Sequence, residues 1–331
     1  MVDVILAPKL KKGDLVRMIA PSHSYAIDNE SQRQVATKRF IEELGLRVSF
    51  GRHIEEKDIF DSSSVKSRIE DLHEAFANPE VKGVIAIEGG FSSNQLLPFI
   101  DWELIKKNPK IFIGYSDITA LCDAIYAKTG LVTYHGPMFS TFGMKRYFDY
   151  TLEYFKKCVM ESAHFEITSP VKWSDDNWEA DQDNRHLIDN PGPLVIHKGE
   201  AEGTAIGGNL SSMGLLQGTE FMPKFYNSIL FIEDDFEWKS YHFDRVLTSL
   251  VQQPGFGGVK AVLIGKFQLE SMVTNEMLLE MVNAKNELRG VPVVADLDFG
   301  HTNPKFTFPV GGKVRVIARA GTNFKLQILE H

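Results

Sequence analysis

The chain has 331 residues, 43% of them hydrophobic and 24% charged, which suits a globular protein with a large core and room for two domains. A formal net charge of −8 argues against a nucleic-acid surface as its main business. The two cysteines, Cys122 and Cys158, lack metal-type spacing and offer no disulfide framework, which fits a reducing compartment.

At the N-terminus the apolar residues precede Lys9, Lys11 and Lys12 instead of following them, the reverse of a secretory signal. No apolar run approaches the length of a membrane span. A cytoplasmic location is therefore expected. A strand is predicted over 14–20, ending at Pro21. Phe40, Ile41 and Leu44 share one face of a helix predicted over 31–44. Short strands follow at 47–50, 83–87, 110–114 and 131–134, with helices over 64–77 and 117–128. Strands alternating with helices imply βαβ units. The expected fold class is α/β, with a mostly parallel, flavodoxin- or Rossmann-like N-terminal sheet flanked by helices, spanning 1–165. Such sheets bind ligands beyond the carboxyl ends of their strands. Gly89-Gly90 and Ser116 both lie just past such ends.

The periodicity breaks between about 165 and 203, and 166–202 reads as a long connecting loop. Long loops in compact proteins are functional or disordered. This one holds Trp173 and Trp178, two of the four tryptophans, which argues against disorder. The C-terminal part, 203–331, opens with strands at 203–210 and 227–232, the latter ending at Glu233-Asp234-Asp235. A helix over 242–252, a strand over 259–267, a helix over 275–288 and a strand over 293–297 follow. That last strand ends at Asp298-Phe299-Gly300-His301. The tail, 305–329, alternates like a β-meander or barrel edge. A smaller C-terminal α/β domain with β-barrel-like character is expected.

Ser116 stands at a sharp strand-to-helix turn, where its hydroxyl meets the positive end of the next helix dipole. That is nucleophile-elbow geometry, although Ile118 occupies the second glycine position of G-x-S-x-G. The competing reading is a simple helix cap by Ser116 or Asp117. A hydroxyl nucleophile needs a base, an orienting acid and oxyanion donors. His301, in a turn-rich loop, is the candidate base, against the alternative of a loop histidine bonded to backbone. Glu233 is the candidate acid, with Asp234 and Asp235 open as substitutes and a solvated acidic turn as the plain alternative. The backbone N–H groups around Gly89-Gly90, with that of Asp117, are candidate oxyanion donors, each worth about 3 kcal/mol in the transition state. Gly207-Gly208-Asn209 forms a third small-residue turn that could approach the same cleft. There is no G-x-G-x-x-G after the first strand, no H-E-x-x-H and no Cys/His cluster, so neither a cofactor nor a metal is expected.

Several segments, in order, resemble the LD-carboxypeptidase family of serine peptidases. They are Gly13-Asp14 with Ala20-Pro21-Ser22, Glu88 to Pro98, Gly114 to Leu121, His135-Gly136-Pro137, Ile206 to Leu210, Ile232-Glu233-Asp234 and Gly300-His301-Thr302. The resemblance implies a Ser116, Glu233, His301 triad and oxyanion donors from the Gly90 and Asp117 backbones. It further implies a site between an α/β N-terminal and a smaller C-terminal domain, a homodimer and cytoplasmic action. Within the family, three features resemble the microcin C self-immunity branch. These are Phe91-Ser92-Ser93-Asn94 after the glycine pair, Glu88 where murein enzymes more often carry arginine, and the tryptophan loop. Candidate substrate-binding positions are Gly89, Phe91, Ser92, Asn209, Trp173 and Trp178. A tryptophan stacked on a purine contributes about 1–3 kcal/mol, although both rings could equally pin the loop to the body. The expected reaction is hydrolysis after an aminoacyl or peptidyl carbonyl in a small nucleotide conjugate. Removal of D-alanine from murein tetrapeptides is the alternative within the family. A non-catalytic nucleotide- or peptide-binding protein is the alternative of another class. Neither a nucleic-acid polymer nor a membrane is expected as a partner.

Overall fold

The computed structural model describes residues 3–27, 29–237, 239–319 and 323–331. The first half of the chain runs β1 (Leu15–Ile19), α1 (Glu30–Lys38), β2 (Arg47–Phe50), α2 (Val65–Ala77), β3 (Val81–Ala86), α3 (Trp102–Lys107), β4 (Ile111–Gly114), α4 (Thr119–Thr129), β5 (Thr133–His135), α5 (Asp149–Val159) and β6 (Phe165–Ile167). There follow β7 (Lys172–Trp173), β8 (Ile188–Asp189), β9 (Leu194–His197), β10 (Gly199–Asn209), α6 (Leu210–Gly214), β11 (Ser228–Glu233), α7 (Ser240–Val251) and β12 (Val259–Gly265). The chain closes with α8 (Asn275–Asn283), β13 (Val293–Leu297), β14 (Phe308–Val310), β15 (Lys313–Ala318) and β16 (Phe324–Glu330).

The first sheet has the order β14-β5-β4-β3-β1-β2. Strands β1 to β5 are mutually parallel, and β14 joins β5 antiparallel. Every residue of β4 is buried, as expected of a parallel strand covered on both faces. The second sheet has the order β6-β16-β15-β10-β11-β12-β13-β9. Its centre, β10 to β13, is parallel, and antiparallel strands flank it on both sides. The barrel-like character expected of this half therefore takes another form. The sheet is open, with β6 and β9 at its edges. Parallel strands need crossover connections such as α7 and α8, and these build a layered sheet instead of a closed meander.

The predicted tail splits. Only β15 and β16 pair as a hairpin, while β14 leaves for the first sheet, and 320–322 lie outside the described residues. The predicted loop 166–202 is also partly ordered into strands, since it contains β7, β8 and β9. The predicted helix over 31–44 stops at Lys38 and continues as a π turn, Arg39–Glu43, which carries the buried Arg39 guanidinium to the Phe142 and Met144 carbonyls.

One apolar cluster runs through both sheets, from Val84, Phe112 and Phe139 to Phe231, Phe299 and Phe308. A second cluster lies between the outer face of the second sheet and α7 and α8. Helix α7 forms because Phe243, Leu247, Leu250 and Val251 recur on one face. Each such side chain, once buried, contributes about 1.5–3 kcal/mol. Among the described residues no helix is long and apolar enough to cross a membrane.

Candidate active site

Three strand ends meet at one place. Beyond β4, Tyr115 is extended, and Ser116 takes φ +59° before a short 3-10 turn, Ser116–Ile118, leads into α4. A non-glycine residue in this left-handed region is strained, and such strain collects at functional sites. Gly114, the first glycine of the elbow, makes room for the Ile118 that replaces the second. A Cβ at Gly114 would sit 2.6 Å from Ile118 Cγ2.

Strand β11 delivers Glu233, and the loop after β13 delivers His301. His301 Nε2 lies 3.1 Å from Ser116 Oγ, and its Nδ1 lies 2.7 Å from Glu233 Oε2. Gly300, at φ +96°, permits this turn, because a side chain there would collide with the Glu233 carboxylate. Glu233 is fully buried. Burial opposes its charge, but His301 and His135 outweigh burial and hold its pKa well below the usual carboxylate range. Burial likewise pushes His301 down, and the charge and hydrogen bond of Glu233 reverse that into a net rise above 6.5. The neighbouring acids have other partners or positions. Asp234 accepts from Asn209 Nδ2 at 3.1 Å and Ser211 Oγ at 2.7 Å, and burial pushes its pKa up to about 7. Asp235 lines the cavity in front of Ser116.

A second histidine stands behind the acid. His135 Nε2 is 3.8 Å from Glu233 Oε1, and neither atom has a hydrogen-bond partner among the described residues. The ring stacks on Phe308 at 4.7 Å and is buried, which lowers its pKa and keeps it neutral near pH 7. Lys305 is buried too, with its ammonium 4.0 Å from the Tyr115 ring centre. Burial pushes Lys305 down to about 8 against the pull of Glu233, Glu88 and Glu179.

The glycine pair after β3 is held by Asp117. Its buried carboxylate accepts from Ser22 Oγ at 2.6 Å, Ser92 N at 3.0 Å and Ser93 N at 2.8 Å. Ser93 Oγ donates back to the Asp117 carbonyl at 2.7 Å. Gly90 takes φ +136°, and a Cβ there would meet Ser22 Oγ and the His23 ring. As an early residue of a helical turn, Asp117 has a backbone N–H that no helical carbonyl reaches.

Two lobes of one cleft meet at Ser116 and share Gly90, Phe91, Ser116 and Asp235. The first, about 570 Å³, also includes Asp117, Asn209, Gln217, His242 and Arg245. The second, about 480 Å³, also includes Glu88, Gly89, Tyr115, Glu179 and His301. The structure thus brings together Ser116, Glu233, His301, Gly89, Gly90, Phe91, Asp117 and Asn209. It places three expected binding residues elsewhere. Ser92 sits behind the glycine loop, with its hydroxyl 3.0 Å from Arg68 Nη1 and 3.2 Å from Ser62 Oγ. Trp173 is buried, with the Lys266 ammonium 5.3 Å from its ring centre. Trp178 is half-buried against the main core. The tryptophan loop reaches the cleft through Glu179 instead. Sequence reasoning offered the Asp117 side chain only as a helix cap, whereas its carboxylate binds the glycine loop, and it assigned no role to Ser22 or His135, although both lie in matched motifs. Among the described residues no cluster of His, Cys, Asp and Glu is placed to hold a metal ion.

Known proteins match the chain along nearly its whole length. The LD-carboxypeptidase N-terminal domain matches residues 16–136, and the LD-carboxypeptidase C-terminal domain matches residues 202–316. YocD of Bacillus subtilis is 52% identical over 318 residues, which is 96% of this chain and 97% of that protein. The crystal structure of an MccF-like protein from Bacillus anthracis matches with a TM-score of 0.97 and 48% identity, covering 99% of this chain and 100% of that one. The microcin C7 self-immunity protein MccF of Escherichia coli is 33% identical over 330 residues, 94% of this chain and 93% of that protein. MccF in complex with aspartyl sulfamoyl adenosine matches with a TM-score of 0.86, covering 99% of each chain. The chain therefore belongs to the LD-carboxypeptidase family and is a serine carboxypeptidase-type hydrolase.

Proposed function

We propose that Ser116 is the nucleophile of a Ser-His-Glu hydrolase that cleaves the bond after an aminoacyl or peptidyl carbonyl. The observation that carries this reading is the unbroken line from Ser116 Oγ through His301 to Glu233 Oε2, with contacts of 3.1 and 2.7 Å. His301 Nε2 takes the Ser116 proton as Oγ adds to the carbonyl carbon. Glu233 holds the Nδ1–H tautomer and stabilises the imidazolium that forms. The Gly90 and Asp117 N–H groups receive the carbonyl oxygen as its charge grows. His301 then protonates the departing group, and an acyl-Ser116 ester remains. Water, deprotonated by the same imidazole, releases the acid and restores Ser116.

Within this chemistry the favoured substrates are microcin C-like aminoacyl- or peptidyl-nucleotide conjugates. Two observations support that choice. The fold likeness to the MccF complex covers nearly the whole chain. Glu88, and not an arginine, borders the glycine pair in the second lobe, where it disfavours a free C-terminal carboxylate. The test is hydrolysis of aspartyl sulfamoyl adenosine and of a murein tetrapeptide ending in D-alanine, by wild type and Ser116→Ala. Ser116-dependent release of the nucleoside alone supports the conjugate reading. Release of D-alanine alone replaces it with murein cleavage. Equal rates for wild type and Ser116→Ala remove the serine mechanism.

A further inference from the structure

The hydrolytic mechanism leaves a buried cation beside the triad unused. Lys305 is 2% exposed, and among the described residues its ammonium makes no hydrogen bond or ion pair. What the ammonium meets is the face of Tyr115, with the ring centre 4.0 Å away. A lysine shut away from water without a carboxylate or carbonyl partner is costly. A methionine of similar length would fill the space without that cost, so the charge is the property to explain.

The position of the charge is fixed by the chain around it. Lys305 N donates to Thr151 Oγ1 of α5 at 3.0 Å. Asn303 pairs with Ser174 in both directions, donating to its carbonyl at 2.8 Å and accepting from its N–H at 2.6 Å. Phe306 N donates to the Asp298 carbonyl at 2.8 Å. This stretch continues the loop that carries His301, so one braced segment delivers both side chains. Tyr115, the residue before Ser116, contacts both of them, and its ring centre is 5.2 Å from that of His301.

The charges around the pair come from several elements. Glu88 follows β3, His135 ends β5, Glu179 lies between β7 and β8, and Glu233 ends β11 with Asp235 two residues on. Glu233 and Asp235 favour the protonated form of His301, and Lys305 opposes them. Lys305 acts in the same direction on His135. Glu233, Glu88 and Glu179 support the Lys305 charge against burial, and it persists up to a pKa of about 8. Without a counterweight, a buried carboxylate at hydrogen-bond distance makes its imidazole partner too basic to be free at neutral pH.

Resting on the reading of His301 as the base, we propose that Lys305 is a positioning residue for hydrolysis. Its ammonium, held on Tyr115, offsets the charge of Glu233 and keeps the His301 imidazole available as a proton acceptor. Lys305 lines neither lobe of the cleft and acts through His301.

The test is the titration of the His301 ring by NMR in wild type, Lys305→Met and Lys305→Arg, with thermal unfolding alongside. The signal is assigned by its loss in His301→Gln, and no substrate is needed. In Lys305→Met the midpoint is expected to rise by roughly 0.5–1.5 pH units. The kcat/KM is followed on whichever of aspartyl sulfamoyl adenosine and the murein tetrapeptide wild type cleaves. It falls about 3- to 30-fold on the acid limb and stays within about threefold on the alkaline plateau. Lys305→Arg keeps the charge and leaves the midpoint near the wild-type value. An unmoved midpoint in folded Lys305→Met overturns the proposal and leaves Ser116-dependent hydrolysis intact. Where Lys305→Met does not fold, Lys305→Gln carries the same comparison. A raised midpoint in a protein whose hydrolysis survives Ser116→Ala keeps the tie between Lys305 and His301 and removes only the serine mechanism.

Discussion

Glu233 sits between two imidazoles and has no water-facing surface. Its charge is what lifts the His301 pKa above 6.5, because burial alone would lower it. A base acts only when neutral. The wild-type kcat/KM is therefore expected to rise with pH through a midpoint above 6.5. Glu233→Gln removes the lifting charge and leaves the burial. Its acid limb is expected to move to lower pH, while kcat falls by roughly 10²- to 10⁴-fold. A pH–rate profile of the two proteins checks both parts, and an unmoved limb would contradict the electrostatic account. His135 tests the other side of the same carboxylate. His135→Phe preserves the stacking on Phe308 but removes the ring nitrogen that faces Glu233 Oε1. A drop in kcat of about tenfold, with little change in KM, is expected for a side chain that only orients the acid.

Strand ends supply Ser116, the glycine pair, Glu233 and His301, and short turns set their aim. Within the glycine turn after β3, Gly89 N donates to Glu88 Oε1 at 3.0 Å. Asp117, on the neighbouring turn, holds it through Ser92 N, Ser93 N and Ser22 Oγ. Asp117→Ala removes the acceptor of the buried Ser93 N and Ser22 Oγ, each at a cost of about 1–3 kcal/mol. Lower thermal stability together with a kcat loss of roughly 100-fold is expected, because the Gly90 N–H is no longer held in place. Thermal unfolding and single-turnover kinetics separate the two effects. Full activity in a destabilised variant would show that the glycine turn holds its own shape. The strand-turn-helix around Ser116 was legible from residues 111–120, because local chemistry fixes an elbow. The tryptophan loop was not. In sequence Trp173 reads equally as a ring that stacks on a ligand or as one that pins the loop, and the structure buries it in the β7–β8 hairpin beside the Lys266 ammonium. Aromatic composition reports that a ring will pack and does not say against what.

Across the whole molecule the two sheets share one apolar core, and polar contacts between α4 and β10 add to it. Asp123 on α4 accepts from Gly207 N of β10 at 3.0 Å, and Thr119 Oγ1 accepts from Asn209 N at 2.9 Å. Burial pushes the Asp123 pKa up to about 7, opposed in part by the Gly207 N–H. Below about pH 4 both folded and unfolded carboxyls are protonated. Between about 4 and 7 the unfolded carboxyl has lost its proton and the folded one keeps it, so stability falls as pH rises through that window and levels off above it. Asp123→Asn lacks this slope. Urea unfolding at pH 5 and pH 8 is expected to favour the variant over wild type by about 2–4 kcal/mol more at the higher pH. A pH-independent difference between the two proteins would mean that folding does not raise the Asp123 pKa above that of the unfolded chain.

The alternation of apolar strands with amphipathic helices was enough to specify an α/β protein with parallel strands, because hydrophobic period depends on near neighbours in the chain. The same locality exposed Ser116, Glu233 and His301 as residues at strand ends. Which strands share a sheet was decided elsewhere. β14 crosses to the first sheet and β15 stays in the second, although both read as one alternating tail. Tertiary packing also decided that Glu233, out of three consecutive acids, is the one hydrogen-bonded to His301, while Asp234 turns to Asn209 and Ser211. The charge difference between the two lobes of the cleft belongs to the same class. Arg245, Gln217 and Glu179 come from segments far apart in sequence, and their shared surface exists only once non-local burial has been satisfied.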